Sequence, residues 1–218
     1  MKFELLLRIE FMNKYTKLGI ISEVLKQLLS CTSVSVEYFI AIVPPKKYAE
    51  KIKEFQKRWS GNTLPDFVEP HVTVKSQAGL NEDECWIDSI KTICSTFPMF
   101  NLSIRGVKSF GNSVVYLGVD SHRINELHRR IVGAIHPDPE ISKRYYELDL
   151  YEPHLTLGSK EYGMSEIELS EMMNLANKCF PDFQPFIVKS LNVYKLLGNK
   201  YQKIQKLELM QTRSVENI

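Results

Sequence analysis

The apolar positions change period several times along the chain, and each change marks an element. Within residues 1–36, Ile20, Ile21, Val24, Leu25, Leu28 and Leu29 recur at helical spacing around Ser22, which suits an N-cap. This predicts a helical extension, read either as a docking or dimerising helix or as an appendage packed on the domain or partly disordered. Residues 38–43 form an apolar, β-prone run stopped by Pro44 and Pro45, after which Tyr48, Ile52, Phe55 and Trp59 place a helix over 46–60. Residues 67–74 read as a strand, and Trp86, Ile90 and Ile93 set a helix ending near Phe97 with Asn81 as its cap. Strands over 100–110 and 113–119 meet at a Gly111-Asn112 turn. A helix over 122–135 ends before Pro137 and Pro139, and the polar stretch 138–149 is a loop or short helix. The last helix spans 165–180, and strands over 186–197 and 201–209 close a hairpin through Gly198-Asn199.

The order from Tyr38 is βαβα, ββ, αβα, ββ. It predicts an α+β fold of two pseudo-symmetric lobes, each with an antiparallel-containing sheet and flanking helices, around a central cleft. This domain occupies 37–210, between the extension at 1–36 and a tail at 211–218. At 218 residues, with 44% apolar and 11% aromatic content, the chain can bury a sizeable core without metals or disulfides. Cys31, Cys85, Cys94 and Cys179 show neither CxxC pairing nor zinc-ligand spacing, so reduced, mostly buried thiols and a cytoplasmic location are expected. Glu4, Arg8, Glu10, Lys14 and Lys17 interrupt the N-terminal apolar residues before signal-peptide or membrane-spanning length, so no membrane partner is expected. A formal charge of +2 argues against a DNA-coating surface and leaves room for a small anionic ligand.

One short pattern occurs twice: Glu69-Pro70-His71-Val72-Thr73-Val74-Lys75 and Glu152-Pro153-His154-Leu155-Thr156-Leu157-Gly158. After each Pro, polar and apolar positions alternate, so on a strand His and Thr share one face while the apolar pair joins the core. A packing role does not call for the same His and Thr twice. Facing each other across a cleft, His71 and His154 form an acid and base pair, since an imidazole titrating near ~6.5 can be neutral or protonated at neutral pH. That suits phosphoryl transfer at a diester, with Thr73 and Thr156 directing hydroxyls at non-bridging oxygens. Two histidines also raise a metal site as the rival. No HExxH, DxH or carboxylate cluster accompanies them, so no metal and no cofactor is expected. There is no GxSxG elbow either. The directions of Glu69 and Glu152, each just before Pro, stay open.

Two His-apolar-Thr-apolar tetrads in a chain of this size resemble the 2H phosphoesterase superfamily, and the Pro-His form resembles its 2′-5′ RNA ligase-like branch. The resemblance covers roughly residues 38–209. It implies a bilobal α+β fold with both tetrads lining a central cleft, metal-independent chemistry on 2′,3′-cyclic or 2′-5′ phosphodiesters, His71 and His154 as general acid and base, and Thr73 and Thr156 as phosphate ligands. The function expected is opening of 2′,3′-cyclic phosphates on nucleotides or RNA ends to 2′-phosphates. The alternatives are 2′-5′ ligation or 2′-5′ cleavage, and a non-catalytic nucleotide or RNA-end binding module. The partner is then a nucleotide or RNA and the protein a monomer. Lys75-Ser76 and Gly158-Ser159 follow the tetrads where relatives acting on RNA ends often carry basic or aromatic residues. Further candidates are Lys75 for phosphate, and Tyr116, Tyr145, Tyr146 and Tyr151 for base stacking. Arg144 is a weaker candidate for a phosphate. His122, His128 and His136, lacking a following Thr, read as surface or capping residues.

Overall fold

The computed structural model describes residues 36–180 and 183–211, so the extension expected at 1–36 and the tail at 211–218 lie almost wholly outside the described residues. Among the described residues eight strands form two antiparallel sheets. The strands are β1 (Tyr38–Ile42), β2 (Val72–Lys75), β3 (Phe100–Phe110), β4 (Val114–Asp120), β5 (His154–Ser159), β6 (Phe186–Val188), β7 (Ser190–Leu197) and β8 (Lys200–Glu208). One sheet has the order β2-β1-β7-β8 and the other β5-β4-β3-β6. Both tetrad strands are therefore edge strands, and the His and Thr of each share the sheet face opposite to the one its apolar pair sends into the core.

Among the described residues six α-helices connect these strands: α1 (Lys46–Gln56), α2 (Leu64–Phe67), α3 (Trp86–Thr96), α4 (His122–Ile135), α5 (Pro139–Arg144) and α6 (Glu166–Cys179). Each long helix buries one stripe. Ile124, Leu127 and Ile131 of α4 are fully buried, at the i, i+3, i+7 spacing of one helix face. Ser165 begins α6 with a capping box, its hydroxyl accepting from the Glu168 N–H while the Glu168 carboxylate accepts from the Ser165 N–H. A single hydrophobic cluster takes residues from both sheets, including Ile40, Val72 and Val74 on one side and Leu117, Leu155 and Leu157 on the other. The apolar halves of the tetrads are thus anchored in a shared core, and burial of each such side chain contributes roughly 1.5–3 kcal/mol.

Several elements differ from the sequence reading. Residues 64–67 form helix α2, with Pro65 in its first turn where the missing N–H costs nothing, so the first tetrad strand begins only at Val72. Asn81 does not cap α3. The helix starts at Trp86, and the Asn81 carbonyl instead accepts from the Trp86 indole N–H at 2.9 Å. The apolar run 186–197 is two strands broken at Lys189, with β6 pairing β3 and β7 pairing β1. The C-terminal hairpin consequently completes the sheet of the first tetrad, and the lobes interleave instead of following one another along the chain. Of the expected thiols, Cys94 is buried, Cys179 half-buried and Cys85 exposed, and these three are free among the described residues, outside which Cys31 lies. No described helix is long and apolar enough to cross a membrane.

Candidate active site

His71 precedes β2 and His154 opens β5. Together with Thr73 and Thr156 they line one pocket of about 240 Å³. In each copy the Pro turns the chain so that the ring meets the carbonyl two residues back. His71 Nδ1 lies 2.8 Å from the Glu69 carbonyl and His154 Nδ1 lies 2.7 Å from the Glu152 carbonyl. A carbonyl only accepts, so both Nδ1 atoms carry hydrogen and both Nε2 atoms are left for the cleft. Burial holds both imidazoles below their ordinary range, and for His71 the neighbouring His154 adds to the effect. The two backbone carbonyls oppose the shift without overcoming it.

The glutamates, whose direction the sequence leaves open, form matching brackets. Glu69 Oε1 accepts from the Tyr194 hydroxyl at 2.5 Å and lies 3.5 Å from Lys203 Nζ. Glu152 Oε1 accepts from the Tyr116 hydroxyl at 2.8 Å and lies 3.6 Å from Lys108 Nζ. Each tyrosine stacks on a phenylalanine that also touches the histidine. Phe39 lies 4.7 Å from Tyr194 and 4.8 Å from His71, and Phe110 lies 4.3 Å from Tyr116 and 5.1 Å from His154. These contacts fix both the carbonyl and the ring that donates to it. Tyr116, expected to bind substrate, is only 2% exposed and packs behind His154 at 5.0 Å between ring centroids, so it positions the histidine instead. Burial and the Glu152 carboxylate push its phenol up to about 12, keeping it a donor.

Lys75 is likewise corrected. Lys75 and Val74 together oppose Ile40, because the β1–β2 register shifts between Ile40 and Ala41. The extra residue turns Lys75 out of the alternation and away from the His–Thr face. Its side chain is fully buried, 2.6 Å from Glu147 Oε1, and also donates to the Ser76 and Ala78 carbonyls. Desolvation pulls its ammonium below the usual lysine range, opposed by Glu147. Ser76 Oγ donates to the same Glu147 oxygen at 2.8 Å. This pair fastens segment 145–151 to the end of β2.

His128 reinforces that fastening and is neither a surface nor a capping residue. It is 1% exposed, its Nδ1–H donates to the Val74 carbonyl at 2.7 Å, and its Nε2 accepts from the Leu148 N–H at 2.8 Å. Tyr151 stacks on its ring at 3.9 Å and donates its hydroxyl to the Thr73 carbonyl at 2.7 Å. The left-handed Tyr146 (φ 54°) and Leu148 (φ 58°) are thereby held, each at a cost of roughly 1–3 kcal/mol. Burial keeps His128 neutral below the ordinary imidazole range, as it does His71 and His154. Above about 6.5 these groups are neutral in both folded and unfolded chains; below it only the unfolded chain gains protons, so stability falls as pH drops. Thermal melts are therefore expected to show a lower Tm at pH 5.5 than at pH 7.5, and an unchanged Tm would contradict neutral burial.

Of the other candidates, His136 does cap a helix, ending α4 with φ 49°, and Arg144 is exposed at the end of α5. Tyr145 and Tyr146 line a second pocket beside the first. Gly158 does not address a ligand: a Cβ there would collide with the Met164 sulfur and approach the Met172 sulfur to 2.9 Å. The sequence reading missed Gln56 and Ser159, both nearly fully buried and both lining the histidine pocket. Gln56 Nε2 donates to the Thr156 carbonyl at 3.0 Å, while Gln56 Oε1 and Ser159 Oγ have no partner among the described residues. Gln56 had no signal, because the carbonyl it meets, that of Thr156, lies 100 residues further along the chain. Among the described residues no group of three His, Cys, Asp or Glu side chains gathers as a metal site.

A family model described as the 2′-5′ RNA ligase superfamily matches residues 43–200. No curated protein matches the chain in sequence. Among solved structures, TT0787 of Thermus thermophilus aligns with a TM-score of 0.59 at 16% identity, covering 81% of this chain and 100% of that one. LigT of E. coli aligns in its complex with 3′-AMP at a TM-score of 0.55 and 15% identity, covering 81% and 99%. Its complex with NADP+ gives 0.53, 15%, 81% and 99%. At such identities the likeness is one of fold.

Proposed function

The chain belongs to the 2′-5′ RNA ligase superfamily, and from that premise we propose that it opens 2′,3′-cyclic phosphates on nucleotides or RNA ends to 2′-phosphates by acid–base catalysis between His71 and His154. The observation that carries this reading is the pair of histidines in one pocket, each with Nδ1 committed to a carbonyl and Nε2 left over. One neutral Nε2 accepts a proton from water as its oxygen bonds to phosphorus. The opposite, protonated Nε2 donates to the ribose 3′-oxygen as the P–O3′ bond breaks. The Thr73 and Thr156 hydroxyls donate to the non-bridging oxygens, where transition-state charge collects. E. coli LigT has been crystallised with 3′-AMP, ATP, NADP+ and phosphate, which supports a nucleotide as the ligand class.

The charge of the pocket supports a diester. Among the described residues no Lys or Arg lines it, whereas Glu69 and Glu161 do. The positive charge available to the phosphate is then one imidazolium, enough for the single charge of a diester. The monoester product gains a second charge and, with no further cation to meet it, leaves.

Turnover of 2′,3′-cyclic AMP, GMP, CMP and UMP, and of an RNA oligomer with a cyclic end, is the direct test. Formation of 2′-phosphate that persists in EDTA is expected. Product that vanishes with EDTA, or cleavage only of a 2′-5′-linked dinucleotide, would replace this reading. The pH dependence adds a second test. Both imidazoles lie below their ordinary range in the empty site, so kcat/KM, which reports the free enzyme, should peak below about 6.5. A bound phosphate anion favours imidazolium and raises these values, so kcat should peak at higher pH.

A further inference from the structure

The second pocket, about 540 Å³ in volume, is more than twice as large as the histidine pocket and continuous with it: Thr73, Val114 and His154 line both. Its character is different. Phe110 forms one wall, and Tyr145, Tyr146 and Leu150 of the fastened segment form another. These four side chains are 37%, 40%, 70% and 51% exposed, an unusual cluster of open apolar surface around a concave site. No Lys or Arg lines it among the described residues, and Glu152 does. A further phosphate group would meet aromatic rings and a like charge there, whereas a flat uncharged ring would meet stacking partners.

We propose that this pocket seats the nucleobase of the substrate between Phe110 and segment 145–151, which places the nucleoside on the His154 side of the reacting phosphate. The inference rests on the phosphodiesterase reading for the histidine pocket and adds a direction to it. With the nucleoside beside His154, the ribose oxygen that departs faces His154 Nε2, and the attacking water enters from the side of His71. The backbone of the wall is tied down by contacts that need no ligand. Lys75, Ser76 and His128 hold Glu147 and Leu148, and the ring of Tyr151 lies flat on His128. A wall ordered in advance saves the entropy of ordering it on binding.

The test uses the full chain and two substitutions outside the catalytic machinery, Tyr146→Ala and Leu150→Ala, at exposed positions that leave folding intact. Binding of adenosine, followed by titration calorimetry, is expected in the native protein and should weaken by about tenfold or more in Tyr146→Ala, as loss of one stacking partner predicts. Binding of inorganic phosphate should be unchanged. In turnover, both variants should raise KM for 2′,3′-cyclic AMP with kcat retained, while ribose 2′,3′-cyclic phosphate, which has no base, should be indifferent to them. Equal adenosine affinity in native protein and Tyr146→Ala, or equal KM for the substrates with and without a base, would overturn the proposal while leaving the phosphodiesterase reading standing. If no cyclic phosphate is turned over, that reading fails alone, and adenosine binding still decides the pocket.

Discussion

Replacing His154 by alanine is expected to lower kcat on 2′,3′-cyclic nucleotides by roughly 10²–10⁴-fold, the usual contribution of a positioned general acid. His71→Ala should lose as much, because the mechanism asks one proton transfer of each imidazole. The two losses can be told apart. If His154 protonates the departing 3′-oxygen, a substrate with sulfur at that bridging position leaves as a stable thiolate and needs no acid. His154→Ala should then recover most of its rate on the sulfur substrate, and His71→Ala should not. The reverse pattern would exchange the two roles, and full activity in either variant would remove the two-histidine mechanism. The brackets of Tyr194 with Glu69 and Tyr116 with Glu152 do not pass through either imidazole, so an unchanged Tm in both variants is expected to mark the loss as one of chemistry.

Glu147→Ala is expected to cost about 3–5 kcal/mol of stability, because it leaves the Lys75 ammonium buried with the Ser76 and Ala78 carbonyls as its remaining partners. A domain of this kind has about 5–15 kcal/mol in all, so the variant would be marginal at 37 °C. Urea denaturation of Glu147→Ala beside the double variant Lys75→Met/Glu147→Leu separates the causes. Replacing both charges by apolar groups of similar volume should restore most of the stability, since the pair itself contributes far less than an orphaned charge costs. A loss below about 1 kcal/mol in Glu147→Ala would mean that Lys75 finds water.

The two His–Thr faces were legible in the sequence because they depend only on strand alternation, which Val72, Val74, Leu155 and Leu157 obey. Lys75 was not, because one inserted residue at the β1–β2 bulge reverses its side and leaves no mark in the pattern. Tyr116 was placed on the correct strand, but its role depended on Phe110 stacking across the β3–β4 turn and on the direction of Glu152. The Glu69 bracket needed Tyr194, 125 residues away, which no local reading can supply. His128 lacks a tetrad and so reads as ordinary; its function lies in joining the Val74 carbonyl to the Leu148 amide. Periodicity also ran unbroken through Lys189, since it records that residues are apolar and not which sheet receives them.

The strand order β2-β1-β7-β8 has a consequence for how the protein comes to exist. During synthesis β1 and β2 emerge early, but the strand that closes the other side of β1 lies at residues 190–197. Until then β1, buried along its whole length in the finished fold, has one open edge and an uncovered apolar face. Closure across so long a stretch of chain is slow and leaves the nascent first sheet prone to mispairing. The sheet that positions His71 is thus completed only after every residue that surrounds His154 has been made, so an interrupted translation product would carry both tetrads and yet hold no working cleft.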